Sequence, residues 1–137
     1  MTPENFKAKY GHQTETSFFL PGSSATLAEY GVRKQLREKL EELQESCPLP
    51  MAVRLCFSIK GLRAGADFAC CRVSTTKAFG RHWLITINPG LTANEALDCL
   101  IHEYAHAMTE CIGGTELTDT LWGIAYAKAY ASVHGPH

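Results

Sequence analysis

The pentad His102-Glu103-Tyr104-Ala105-His106 is the part of this chain whose residue types and spacing can do chemistry. Residues four apart on a helix lie on one face, one turn above the other, so the two imidazoles point the same way. Both nitrogens can then reach a single Zn²⁺ at about 2.0–2.1 Å. Glu103, one step round the helix, is placed as general base toward a water activated by that metal. Zinc is the implied cofactor, because two imidazoles suit it better than magnesium or calcium, which want all-oxygen shells. On an ordinary helix the same residues would merely face solvent, so the surrounding elements decide between the two readings.

Those elements are well signalled. Thr92-Ala-Asn-Glu95 reads as a capping box, and Leu97, Leu100, Ile101, Ala105 and Met108 supply the apolar side of the helix that follows. The motif falls about three turns into that helix, which starts near Ala93 and is stopped by Gly113-Gly114. A closing helix is expected over 119–132, packing through Leu121, Trp122, Ala125, Tyr126, Ala129 and the following Val133. Upstream, Thr26-Leu-Ala-Glu29 reads as a second capping box. The helix behind it carries Val32, Leu36, Leu40, Leu43 and Cys47 on one face and ends at Pro48 and Pro50.

Between the two helices lie three strand-like runs, 52–59, 68–74 and 82–88, with Gly61, Gly65 and Gly80 at the turns and Pro89-Gly90 closing the last. Residues 1–24 read as an extended or loosely attached arm, and 25–137 as a single domain. The expected fold is α+β: an N-terminal helix, a three-stranded antiparallel sheet, the motif helix and a closing C-terminal helix.

Composition sets the outer bounds. With 137 residues and 45% hydrophobic content the chain suits one domain with one core. A formal charge of −1 gives no global attraction to nucleic acid or to an anionic membrane, so neither is an expected direct partner. The charge is unevenly spread. Arg54, Lys60, Arg63, Arg72, Lys77 and Arg81 stand against Asp67 alone in 54–91, which reads as solvated strand faces and turns. Glu95, Asp98, Glu103, Glu110, Glu116 and Asp119 stand against Lys128 in 92–137, and carboxylates gathered round the motif favour a cation there. None of the six cysteines forms a C-x-x-C knuckle, and adjacent Cys70 and Cys71 point to opposite faces of a strand. No signal-peptide pattern or membrane span is present, so reduced thiols and a cytoplasmic location are expected. His82 reads as a strand-end surface residue, and Trp83 and Trp122 as core.

The run Ile101-His-Glu-Tyr-Ala-His106 is followed by a Gly-containing turn and by Asp-Thr-Leu-Trp122-Gly-Ile-Ala-Tyr126-Ala-Lys-Ala-Tyr130. Together they resemble the SprT-like zinc metallopeptidases, in particular small versions carried by bacteriophages and their hosts. The resemblance covers about residues 26–133 and includes the Trp-Leu-Ile-Thr-Ile-Asn run before the motif helix. It implies a minimal zincin-like domain that hydrolyses peptide bonds in a peptide or protein substrate. It also implies that the strand before the motif helix is the edge that receives the substrate by β-augmentation.

One position departs from the family. The third zinc ligand, usually His, stands there four residues before the tryptophan of the last helix, and here that place is Thr118. Catalytic zinc wants three protein ligands plus water. Asp119 is the first substitute, completing a His₂Asp set, although Asp is also a preferred helix N-cap. Glu116 is the next choice, and a site without a conventional third ligand stays open. His134 and His137 lie beyond most of the last helix and would need the tail to fold back. Tyr126 or Tyr130 could donate a hydroxyl to an oxyanion, although their spacing equally suits packing. Two other readings remain: a zinc-binding module without hydrolysis in a phage or host assembly, and a protease acting on DNA-associated protein through the basic 54–81 stretch. The oligomeric state is not legible.

Overall fold

The structure, a computed structural model, describes residues 18–20, 22–62, 68–112 and 118–135. Its elements run α1 (Tyr30–Ser46), β1 (Val53–Phe57), β2 (Ala69–Thr76), β3 (Gly80–Ile87), α2 (Ala93–Ile112) and α3 (Thr118–His134). The class is α+β, as the hydrophobic periodicities imply.

The sheet differs from the expected antiparallel meander. Its order is β1-β3-β2, with β2 antiparallel to β3 and β1 parallel to it. Leu55 of β1 and Cys71 of β2 both stand opposite Ile85, so the last strand is the centre of the sheet. The edge beside the motif helix is therefore β2, and not the 82–88 run. The physical reason lies in the side chains of β3. Trp83, Ile85 and Ile87 are buried on one face and His82, Leu84 and Thr86 on the other. A strand covered on both sides belongs in the interior of a sheet. The residues between β1 and β2 are numerous enough to carry the chain across it, whereas β2 and β3 join by a tight turn. There Gly80 has φ 62°, a left-handed conformation that favours glycine, and the Phe79 N–H donates to Thr76 Oγ1 at 3.0 Å.

His82 is likewise not at the surface. It is 0% exposed on the sheet face away from the helices, edge-on to the Phe79 ring at 5.7 Å, and the Arg54 guanidinium covers that ring in turn at 4.8 Å. Its Nδ1 lies 2.9 Å from the Gly80 carbonyl.

The helices gather on the other face. Val32, Leu36, Leu40 and Leu43 of α1 are all buried, at the spacing the sequence shows. They share one core with Leu55, Ile85 and Ile87 of the sheet and with Leu97, Leu100 and Ile101 of α2. The capping box at Thr26–Glu29 does not form. Glu29 is the N-cap of α1 with no side-chain hydrogen bond, and Thr26 pairs instead with Thr92 in an isolated antiparallel bridge. The Ala93 N–H donates to the Ala25 carbonyl at 2.8 Å and the Leu27 N–H to the Leu91 carbonyl at 3.2 Å, so the lead-ins of α1 and α2 are tied together.

The second box does form. The Thr92 N–H donates to Glu95 Oε1 at 3.0 Å and the Glu95 N–H to Thr92 Oγ1 at 3.3 Å. Hydrogen bonding from the Thr92 backbone N–H, and then from its side chain, holds the Glu95 carboxyl below its ordinary value. Of the stretch read as an arm, residues 1–17 and 21 lie outside the described ones, while Phe18 and Phe19 pack against the core. Gly113 and Gly114 also lie outside the described residues, next to the observed end of α2 at Ile112. Among the described residues no helix is long and apolar enough to cross a membrane.

Candidate functional site

α2 is apolar on the side it turns to α1 and the sheet and polar on the other, and the motif straddles the boundary. Leu100, Ile101, Tyr104, Ala105 and Ala107 are buried, whereas Asp98, His102 and His106 are exposed and Cys99 and Glu103 half-buried. Tyr104, the middle residue of the motif, fixes this rotation. Its side chain is fully buried, and its hydroxyl donates to the Cys47 carbonyl at 2.6 Å, just past the C-terminus of α1. One residue thus satisfies an acceptor at a helix end and aims its neighbours outward.

The structure brings His102, Glu103 and His106 together. The two imidazoles meet edge to face, with Nε2 of His102 3.1 Å from Nε2 of His106. Partial burial first, and then the charge of His106, hold the His102 pKa below its ordinary value. A neutral imidazole is the form that ligates metal.

Two clefts open on either side of Glu103, which borders both. The larger, about 790 Å³, is lined by Phe68, Asp98, Cys99, His102, Trp122 and Tyr126, together with Ala69 and Tyr130. The smaller, about 400 Å³, is lined by Cys71, Arg72, Val73 and Trp83 of the sheet and by His106 and Glu110. Residues of β2 wall both, so a groove follows this edge strand across the motif.

Trp122 is the residue whose role the sequence reading misjudged. It is half-buried rather than core, with its indole 4.9 Å from the His102 ring and 5.5 Å from that of His106. Tyr126 stacks on it at 5.1 Å and Tyr130 follows at 6.0 Å. The signal was present: Trp122, Tyr126 and Tyr130 recur every four residues along one stripe of α3, as Asp98 does with His102 and His106 on α2. Trp83 is buried as expected.

Burial, then the charges of Asp98 and Tyr130, push the Tyr126 pKa up, so its hydroxyl remains a donor. Burial and the charges of Glu103, Asp98 and Glu95 push the Cys99 thiol up to about 11, which removes it as a nucleophile at neutral pH.

The third-ligand candidates are not placed: Glu116 and the side chains of Thr118 and Asp119 lie outside the described residues, as does His137. The His134 ring lies 4.3 Å from that of Tyr130, tilted by 39°, at the far end of the aromatic stripe. Among the described residues no group of three His, Cys, Asp or Glu is arranged to hold a metal ion. No protein-family model matches the chain, and neither a curated protein nor a solved structure matches it.

Proposed function

We propose that this protein is a zinc-dependent metallopeptidase of the zincin-like kind, similar to the SprT-like enzymes that its motif resembles. The observation that carries the reading is the approach of the two imidazoles. Tetrahedral zinc with bonds of about 2.0–2.1 Å needs its nitrogen ligands about 3.3 Å apart, and His102, on the larger cleft, and His106, on the smaller, present theirs at 3.1 Å. Two donors therefore fit the metal, and Asp119 is proposed as the third, with Glu116 next. When bound, zinc supplies Lewis acidity and lowers the pKa of water toward neutrality.

The chain's own residues do the rest. Glu103, half-buried between the two clefts, accepts the proton of the attacking water and returns it to the leaving amine as the C–N bond breaks. The Tyr126 hydroxyl, kept protonated by its surroundings, donates to the oxyanion that develops on the scissile carbonyl. An extended peptide lies along β2, the edge strand beside the motif, and pairs main chain to main chain. This corrects the edge implied by the resemblance while keeping its mode of binding.

Metal analysis tests the reading directly. The purified chain is expected to hold close to one zinc, and His102→Ala or His106→Ala to abolish it. Undiminished zinc in the double variant removes the site. Full zinc without turnover of a flexible protein substrate favours the non-hydrolytic zinc module instead.

A further inference from the structure

The larger cleft is unusual in its walls. Trp122 and Tyr126 stack at 5.1 Å with 27° between their planes, and Tyr130 continues the strip at 6.0 Å. Phe68, an exposed ring at the start of β2, stands among the lining residues as well. Among the described residues no lysine or arginine lines this cleft, whereas Arg72 lines the smaller one. Two carboxylates, Asp98 and Glu103, do line it. Asp98 has no hydrogen-bond or ion-pair partner among the described residues. The negative field is felt locally, since Asp98 raises both the Cys99 thiol and the Tyr126 phenol.

We propose that this cleft is an aromatic cage for a cationic side chain, a lysine or arginine of an extended peptide, with Phe68, Trp122, Tyr126 and Tyr130 as walls and Asp98 as counter-ion. Ring faces attract a cation through their quadrupole, and the attraction grows as the cation is desolvated. The carboxylates decide between a cation and an apolar occupant. An apolar side chain would strip water from Asp98 and give nothing back, whereas an ammonium or guanidinium replaces the lost hydration with charge pairing. The methylene stem of either residue lies against the rings while the head reaches Asp98. The inference deepens the peptidase reading, on which it rests for the peptide but not for the charge.

The test uses capped pentapeptides, Ala-Ala-X-Ala-Ala with X as Lys, Arg, norleucine or Glu. Their binding to the zinc-loaded full chain carrying Glu103→Gln is measured by calorimetry at low salt, and their cleavage by the wild-type protein by mass spectrometry. The Lys and Arg peptides are expected to bind about tenfold tighter than norleucine. Asp98→Asn, at an exposed position that does not threaten folding, is expected to remove most of that preference, and Tyr130→Leu to weaken it. Equal binding of norleucine, a preference that survives Asp98→Asn, or no binding of any peptide overturns the cage. Cleavage without basic preference also overturns it and leaves the peptidase reading standing. Asp98-dependent binding of basic peptides without cleavage does the reverse.

Discussion

Glu103 borders both clefts, so exchanging it for glutamine isolates proton transfer from metal and peptide binding. Glu103→Gln is expected to keep zinc and fold while peptide hydrolysis falls about 10²–10⁴-fold, since the amide cannot accept the water's proton. Equal turnover of a protein substrate by both forms would remove Glu103 from the mechanism. The third ligand is tested in the same way. If Asp119 binds zinc, Asp119→Ala should weaken the affinity about 10-fold or more in a chelator competition. If it is only a cap, the variant should lose about 1 kcal/mol in a melt of the metal-free protein and keep its affinity. Unchanged affinity moves the assignment to Glu116. The imidazole pair was legible in the sequence because four-residue spacing on a helix is local geometry. Trp122 was not, because whether its ring faces the core or His102 depends on how α3 docks, which no local pattern specifies.

At the level of elements, the caps and the fastening of α2 are what hold the motif in place. Removing the Thr92 hydroxyl breaks one half of its reciprocal box, so Thr92→Ala is expected to cost about 1 kcal/mol in a denaturant titration. Tyr104→Phe leaves the Cys47 carbonyl without its 2.6 Å donor and is expected to cost a similar amount, about 1 kcal/mol, by the same measurement. A loss of zinc affinity in Tyr104→Phe with unchanged stability would contradict its role as a structural anchor. Both helix faces and all three strands were readable from periodicity, as the buried Val32, Leu36, Leu40 and Leu43 show. The pairing of strands was not, because periodicity fixes which residues are covered and says nothing about which strand lies beside which. The unbroken run Trp83-Leu84-Ile85-Thr86-Ile87, lacking any polar-out alternation, was the one available hint that β3 is central. Thr26 failed as a cap for a similar reason, since its neighbours Ala25 and Leu27 bond to Ala93 and Leu91, far along the chain, and hold Thr26 in a bridge with Thr92.

For the molecule as a whole, the site imposes a dependence on acidity. The pKa of His102 is lower in the folded chain than the ordinary value of about 6.5. Between the two values the unfolded chain binds more protons, so stability rises with pH there and falls as the solution is acidified. The metal-free protein is therefore expected to melt at a lower temperature at pH 5 than at pH 7, with a smaller difference in His102→Ala. An identical difference in both would remove His102 as a source. The sheet pairing has a further consequence, and it concerns time. β1 is synthesised well before β3, yet β3 is its only partner in the described sheet, and the pairing is parallel across the intervening hairpin. The lead-in to α1 is bonded to that of α2, still further along the chain. A nascent chain that ends before α2 can pair β1 with β3 but cannot tie the lead-in of α1 to that of α2 or cover the helix side of the sheet, and long-range closures of this kind make folding slow. A fragment of residues 1–90 is accordingly expected to lack a cooperative melt by circular dichroism, so the motif helix is a condition of folding as well as the bearer of the site.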